Sequence, residues 1–514
     1  MNNDMQILDC TFRDGGYYTN WNFTNELLDE YLKTVSKLPI SIVELGYLSD
    51  NNDFNGPFYH LNKNFLKNCK SKLNKKQKIF AMINTKEVKN SKQLIKLIGS
   101  NYKYIDGVRF AISPYDVKKF LPIIKIASKK FKKLSFNVNL MYLNKWYKDL
   151  FFAKKIIKTL SDQVDTIAIV DSYGSLQPDE ISRFVKKIKN KNVKLGCHFH
   201  NNCGLALANT LSAIDAGCEV ADTTFRGMGR GAGNAETEML IALKTPIKPK
   251  ISSFDINNLI DKFEKMKSKM KWGGSYAYAF AAKAGFSQNQ MMDLIQKRRL
   301  DPGMAVNAIS SNNQNIKKIK FKNIKNLKKL KFSNSHTPIL IGGAPSLKDY
   351  GLQLFNKINF NTPIILSGSN ALFNFLSLNA KIKNPIILIL SGSEINKIVN
   401  INKKNFLKNL KIYAIIIEKD FLPNKINFQP KNRIVISESI AINPLLLTGL
   451  ALLKYGIKKM HLAFFDGQFD DEKGRVIMQE TEESVKKLMK SGLDIKTLTK
   501  SFLQVKQINP WLND

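Results

Sequence analysis

The chain has 514 residues, 44% of them apolar, and a formal net charge of +38, with 80 Lys and Arg against 42 Asp and Glu. That length and apolar content exclude a disordered or disulfide-stapled chain and ask for two or three domains with large cores of their own. The cations are overwhelmingly lysines spread over nearly every predicted helix, so they predict a solvated basic surface rather than a focused site for a specific nucleic acid.

Short apolar, β-branched runs recur about every 25 to 40 residues, separated by segments of helical period, the pattern of βα units around a buried parallel sheet. Eight fall before residue 230: Met5–Cys10, Ser41–Gly46, Lys78–Ile83, Ile105–Ala111, Leu134–Leu140, Thr166–Asp171, Val193–His198 and Glu219–Thr224. Eight such units predict an α/β TIM (β/α)8 barrel over residues 1–250, with its site at the carboxyl ends of the strands. Helices are expected at Ile251–Lys271 and Ala277–Leu300, beside the barrel mouth, and a Lys/Asn-rich linker at 301–335, whose densest stretch is Ile316–Phe332.

A second α/β pattern occupies residues 336–514, with strands predicted at Pro338–Ile341, Thr362–Leu366, Pro385–Leu390, Ile412–Ile417, Arg433–Ile436 and Lys459–Phe464. This is the pattern of an open, Rossmann-like domain, whose role is not evident. Its first turn, Gly342-Gly343-Ala344-Pro345-Ser346, is either a phosphate cradle at a helix N-terminus or simply favourable turn chemistry.

No apolar run approaches the roughly 20 residues of a membrane span. The nearest, Asn443 to Leu453, is short and interrupted by Thr448 and Gly449. The five cysteines form no CxxC pair and the chain opens on no signal-peptide pattern, so a reduced, cytoplasmic protein is expected.

Polar residues gather at the predicted strand ends. Asp14 follows the first strand, beside Arg13; Glu44 lies in the second and Arg109 near the end of the fourth; Ser172 follows the sixth. His198 and His200 end the seventh, where strand alternation points both the same way, so that with Asp14 they can hold one divalent cation. Charges converging from so many strands are costly to bury unless paired or metal-bound.

The segment Leu8-Asp9-Cys10-Thr11-Phe12-Arg13-Asp14-Gly15-Gly16-Tyr17, with Val43-Glu44-Leu45-Gly46-Tyr47, resembles the DRE-TIM metallolyase (HMGL-like) superfamily. So do His198-Phe199-His200-Asn201-Asn202 and the stretch Arg226-Gly227-Met228-Gly229-Arg230-Gly231-Ala232-Gly233-Asn234. The resemblance covers about residues 5 to 290 and is nearest to the 4-hydroxy-2-oxovalerate aldolases, which make or break a bond between pyruvate and an aldehyde.

What it implies is a divalent metal, Mn²⁺ or Mg²⁺ with Co²⁺ or Zn²⁺ as alternatives, held by Asp14, His198 and His200, with Asn234 a further oxygen ligand as in the lyase branch. Pyruvate would react as an enolate beside that metal, with Arg13 stabilising the enolate oxygen; pairing of Arg13 with Glu44 is an alternative compatible with this. Ser172 would lie near the substrate carboxylate, and Glu44 and Arg109 among the substrate-binding groups.

Tyr17 departs from the family pattern, which places a histidine there as acid/base for the aldehyde hydroxyl. A phenol with an ordinary pKa near 10 is a poorer base at neutral pH, which puts the substrate in doubt. His60 is a substitute, or a solvated loop residue. Tyr276 and Tyr278 either cover the mouth or serve aromatic packing.

The last third does not look like the partner-docking domain of the degradative aldolases, so an aldehyde dehydrogenase partner is not expected; a sugar-derived aldehyde and a homodimer are suggested by analogy. The rival readings are a Claisen-type acyl-CoA lyase or synthase, against which stands the absence of cysteine from the loop Gly227–Asn234, and a non-catalytic basic binding protein.

Overall fold

Eight apolar runs spaced for βα units close on themselves. In the computed structural model, which describes residues 5–50, 56–244, 253–297, 302–303, 305–306, 321–322, 336–379, 382–391, 394, 412–418, 434–437, 443–467 and 472–508, the strands are β1 Gln6–Asp9, β2 Ile42–Tyr47, β3 Lys78–Asn84, β4 Gly107–Ile112, β5 Ser135–Leu140, β6 Thr166–Asp171, β7 Lys194–Phe199 and β8 Val220–Thr223. They form a closed, all-parallel barrel in sequence order. β1 pairs with β8, setting Leu8 beside Asp222 and Asp9 beside Thr223.

Strand alternation sorts the side chains into an outward set against the helices and an inward set stacked in layers. The lower inward layer is apolar, with Leu8, Ile42, Phe80 and Val220 in one buried cluster. Gly107 makes room for it, since a Cβ there would lie 2.5 Å from the Phe80 ring. Two residues further along the strands the inward layer turns polar: Glu44 follows Ile42, Arg109 follows Gly107, His198 follows Gly196 and Asp222 follows Val220, all four buried.

Directly after β1 the chain turns into a helix, Thr11–Thr19. Two glycines make this a poor helix by propensity, and packing explains them. A Cβ on Gly16 would fall 2.2 Å from the Trp21 indole, and one on Gly15 would fall 2.8 Å from Met228 Sδ. After the barrel come helices Thr237–Lys244, Ser253–Met270, Tyr276–Lys283 and Gln288–Met292. Residues 298–300, at the end of the predicted Ala277–Leu300 helix, lie outside the described residues.

The chain divides into two units, Met1–Met292 and Asp293–Asp514. The second holds β9 Phe321–Lys322, β10 Ile339–Ile341, β11 Ile364–Ser367, β12 Ile386–Leu390, β13 Ile412–Glu418, β14 Ile434–Ser437, β15 Lys459–Ala463 and β16 Asp494–Thr497. They form one sheet in the order β16-β15-β10-β11-β12-β13-β14-β9, parallel except for β9. Strands wind outward from β10 in both directions, the doubly wound arrangement. β16 and β9 are additions to the predicted strands. β9 falls within the stretch read as a linker, and apart from it the lysine-dense Ile316–Phe332 lies outside the described residues. Among the described residues no helix is long and apolar enough to cross a membrane.

Candidate metal centre

The polar layer ends in a cluster on the carboxyl side of the barrel. Asp14 is presented by helix Thr11–Thr19, His198 by β7, and His200 by the first position after that strand. The imidazoles meet edge to face with centroids 4.9 Å apart, and one ligand-type atom from each of Asp14, His198 and His200 lies within 4.8 Å of the others. All three side chains are buried.

Each imidazole is held by its Nδ1. That of His198 donates to Asp222 Oδ2 at 3.0 Å, and that of His200 to the Gly233 carbonyl oxygen at 3.3 Å. With Nδ1 so engaged, Nε2 is the ring atom each imidazole keeps available to a metal, the arrangement that orients metal-binding histidines. His198 Nε2 stands 3.9 Å from Asp14 Oδ2. Burial opposes ionisation of Asp14, but the guanidinium of Arg13 beside it outweighs burial and holds the carboxyl below the ordinary carboxylate range. Burial, reinforced by His198, pushes His200 well below its usual value, so it is neutral.

A buried carboxylate, two oriented imidazoles and the amide of Asn234 therefore converge. Asn234 Nδ2 donates to Asp14 Oδ2 at 2.6 Å, and its Oδ1 is buried without a hydrogen-bond partner. This mixed N/O set fits a divalent cation. Cys10, His198 and Asp222 also lie together, but there burial pushes the thiol up and Asp222 Oδ2 already accepts from Arg109 and His198.

Below the cluster runs a buried ion-pair chain. Arg13 donates through Nε to Glu44 Oε2 at 2.7 Å and through Nη1 to Asp14 Oδ1 at 2.5 Å. Arg109 bridges Glu44 Oε2 at 3.2 Å and Asp222 Oδ2 at 2.6 Å. Glu44 and Arg109, expected to contact substrate, are thus engaged with each other and with the groups that orient Arg13 and His198. Arg13 Nη2 is buried with no partner.

Asp222 was not among the expected site residues. No motif marks it, but parity could have found it: in β8, Val220 faces the barrel interior, so Asp222 does too. Asp222→Asn is expected to weaken divalent-metal binding by about 10- to 100-fold and to lower Tm by leaving Arg109 short of a carboxylate. Mn²⁺ titration and thermal unfolding measure the two effects; unchanged affinity would remove Asp222 from the site.

The loop after β8 is held from outside. Arg226, at φ 48°, pairs with Glu236 at 2.9 Å, Glu238 at 3.3 Å and Glu264 at 2.7 Å, and its carbonyl accepts from Trp272 Nε1 at 2.9 Å. The loop then crosses Asp14 so closely that a Cβ on Gly229 would lie 2.7 Å from Asp14 Oδ2. Only glycine fits there.

The remaining expected residues divide. Ser172 is buried after β6, its Oγ accepting from the Tyr142 amide at 3.0 Å. Tyr17 is half-buried, edge-on to Trp21 at 4.8 Å and under the Arg230 guanidinium at 5.4 Å. His60 Nδ1 bonds the Ser49 carbonyl at 2.9 Å and its ring faces Tyr59. Tyr278 is buried, with its hydroxyl 3.4 Å from that of Tyr18, whereas Tyr276 is 68% exposed and packs on Phe280.

Comparison with known proteins follows the same region. The HMGL-like family model matches residues 108–261. Oxaloacetate decarboxylase of Mycobacterium tuberculosis is 28% identical over 240 residues, 46% of this chain and 68% of that protein. A 4-hydroxy-2-oxovalerate aldolase of Thermomicrobium roseum is 40% identical over 109 residues, 21% of this chain and 31% of that one; the match thus spans about a third of the aldolase's length. Among solved structures, the N-terminal domain of a candidate aldolase from Bacteroides vulgatus superposes with a TM-score of 0.53 at 32% identity, covering 57% of this chain and 96% of that domain.

Proposed function

The chain belongs to the DRE-TIM metallolyase superfamily, the HMGL-like family, close to the 4-hydroxy-2-oxovalerate aldolases, and on that premise we propose that it makes or breaks a carbon–carbon bond between pyruvate and an aldehyde at the Asp14–His198–His200 cluster. The observation that carries the reading is Arg13, fixed on Asp14 and Glu44 with Nη2 uncommitted and buried beside that cluster. A donor so placed is what a developing oxyanion needs.

The relatives' chemistry supports the choice of fragment. Loss of CO₂ from oxaloacetate and of an aldehyde from 4-hydroxy-2-oxovalerate break different bonds, but both leave the enolate of pyruvate. A site built for that enolate serves either, and the aldol reading follows the branch that the motifs resemble.

Asp14, His198 and His200, with Asn234 Oδ1 beside them, would hold a divalent cation, which when bound supplies Lewis-acid polarisation of the keto acid's oxygens. Arg13 Nη2 donates to the keto oxygen where negative charge develops on it, without reorganising, because Nε and Nη1 are already tied down. Glu44 and Arg109 position Arg13; Asp222 positions His198. Ser172 stands at the end of β6 as a hydroxyl for the carboxylate. Tyr17 is the hydroxyl on helix Thr11–Thr19 that exchanges a proton with the aldol oxygen.

The test needs no knowledge of the aldehyde. Pyruvate methyl protons are expected to exchange in D₂O, followed by NMR, when Mn²⁺ is present, and exchange is expected to stop on chelation and recover on re-addition. Absence of exchange with every divalent metal, in folded protein, sinks the reading; thiol release from acetyl-CoA with a keto acid would replace it with a Claisen reaction.

A further inference from the structure

Resting on the enolate reading, we propose that Arg230 forms a subsite for an anionic group on the second substrate, so that the aldehyde joined to pyruvate carries a phosphate or a carboxylate. Arg230 lies in the loop that crosses the metal-binding carboxylate, next to Gly229, whose backbone packs on Asp14 and Asn234. Its guanidinium carbon sits 5.4 Å above the Tyr17 ring, where a cation–π contact holds it.

The other arginines of this region are neutralised. Arg13 is paired with Asp14 and Glu44, Arg109 with Glu44 and Asp222, and Arg226 with Glu236, Glu238 and Glu264. Among the described residues Arg230 has no carboxylate partner. Its Nε donates instead to the neutral amide of Gln288 at 3.1 Å, and Gln288, itself 3% exposed, donates through Nε2 to Asn202 Oδ1 at 2.7 Å. A buried amide relay therefore orients the guanidinium without consuming its charge.

Arg13 is 5% exposed and already serves the keto acid from below, so a second cation at the half-exposed level of Tyr17 is surplus to pyruvate. It is matched by an anion on the partner that enters from the mouth. Bidentate geometry suits either a phosphate or a carboxylate.

The experiment compares matched aldehydes in condensation with saturating pyruvate and Mn²⁺ at low ionic strength: glyceraldehyde 3-phosphate against glyceraldehyde, and succinic semialdehyde against butanal. Wild type is expected to favour the anionic member of at least one pair by about 10- to 100-fold in kcat/KM, and the pair that wins names the group. Arg230→Gln is expected to collapse that preference through the aldehyde KM, not the pyruvate KM. Equal or better use of the neutral members by wild type overturns the subsite, whatever the folding of the variant. So does a variant whose pyruvate KM rises alike with both classes, which would make Arg230 a ligand of the keto acid. Methyl exchange without aldehyde, on the same preparation, separates the failures: no exchange sinks the enolate reading, whereas exchange without anionic preference sinks only the subsite.

Discussion

Asp14→Asn is expected to fold, to bind Mn²⁺ at least about a hundredfold more weakly, and to exchange pyruvate methyl protons about three orders of magnitude more slowly than wild type. Outer-shell partners of a metal commonly account for 10- to 100-fold in affinity, so the one anionic ligand of the cluster sets a larger effect. The fold survives because the substitution is isosteric. The amide oxygen introduced at position 14 still accepts from Arg13, and rotation of the Asn234 amide restores the second bond now made from Nδ2 to Asp14 Oδ2. Arg13 keeps Glu44. Circular dichroism, Mn²⁺ titration and NMR exchange together check this. Exchange within about tenfold of wild type would place the chemistry elsewhere.

Arg13→Lys is expected to separate metal binding from catalysis. The guanidinium spans three targets in one plane: Nε to Glu44, Nη1 to Asp14, and Nη2 free for substrate. A single ammonium cannot reach all three, and the two carboxylates will take it. Exchange and aldol rates should fall about 10²- to 10³-fold, the usual cost of removing one oxyanion donor, while Mn²⁺ affinity stays within a few-fold. Glu44 keeps Arg109 as a partner, so the loss of stability is smaller than for Arg13→Ala, which would strand buried charge. Equal losses of metal binding and rate would mean that Arg13 acts only by holding Asp14.

Much of this was legible in the sequence because parallel strands buried on both faces must be written as apolar runs. Thr166–Asp171 coincides with β6, and the other barrel runs differ from their strands only at their ends. His198 and His200 announced themselves by spacing. What escaped was decided by packing across the barrel. Helix Thr11–Thr19 is hidden by its two glycines, whose reason is the nearness of Trp21 and Met228. The pairing of Glu44 and Arg109 with each other, and with Arg13 and Asp222, joins residues from separate strands that no spacing in the chain connects. β9 and β16, short and charged, carry little strand signal of their own.

The joins across the barrel seam bear on when the site comes into being. Asn234 reaches Asp14 across 220 residues, Thr237 reaches Asp9 across 228, and the Phe225 amide reaches Thr11 across 214. Bringing such distant ends together costs about 5 kcal/mol of chain entropy beyond a constant, and contacts of that span form late. During synthesis the ligand set is therefore incomplete until β7, β8 and the loop behind them have emerged and met the first helix. A chain halted short of residue 198 carries only Asp14 of the three, and cation affinity becomes a readout of whether the two ends of the barrel have found each other.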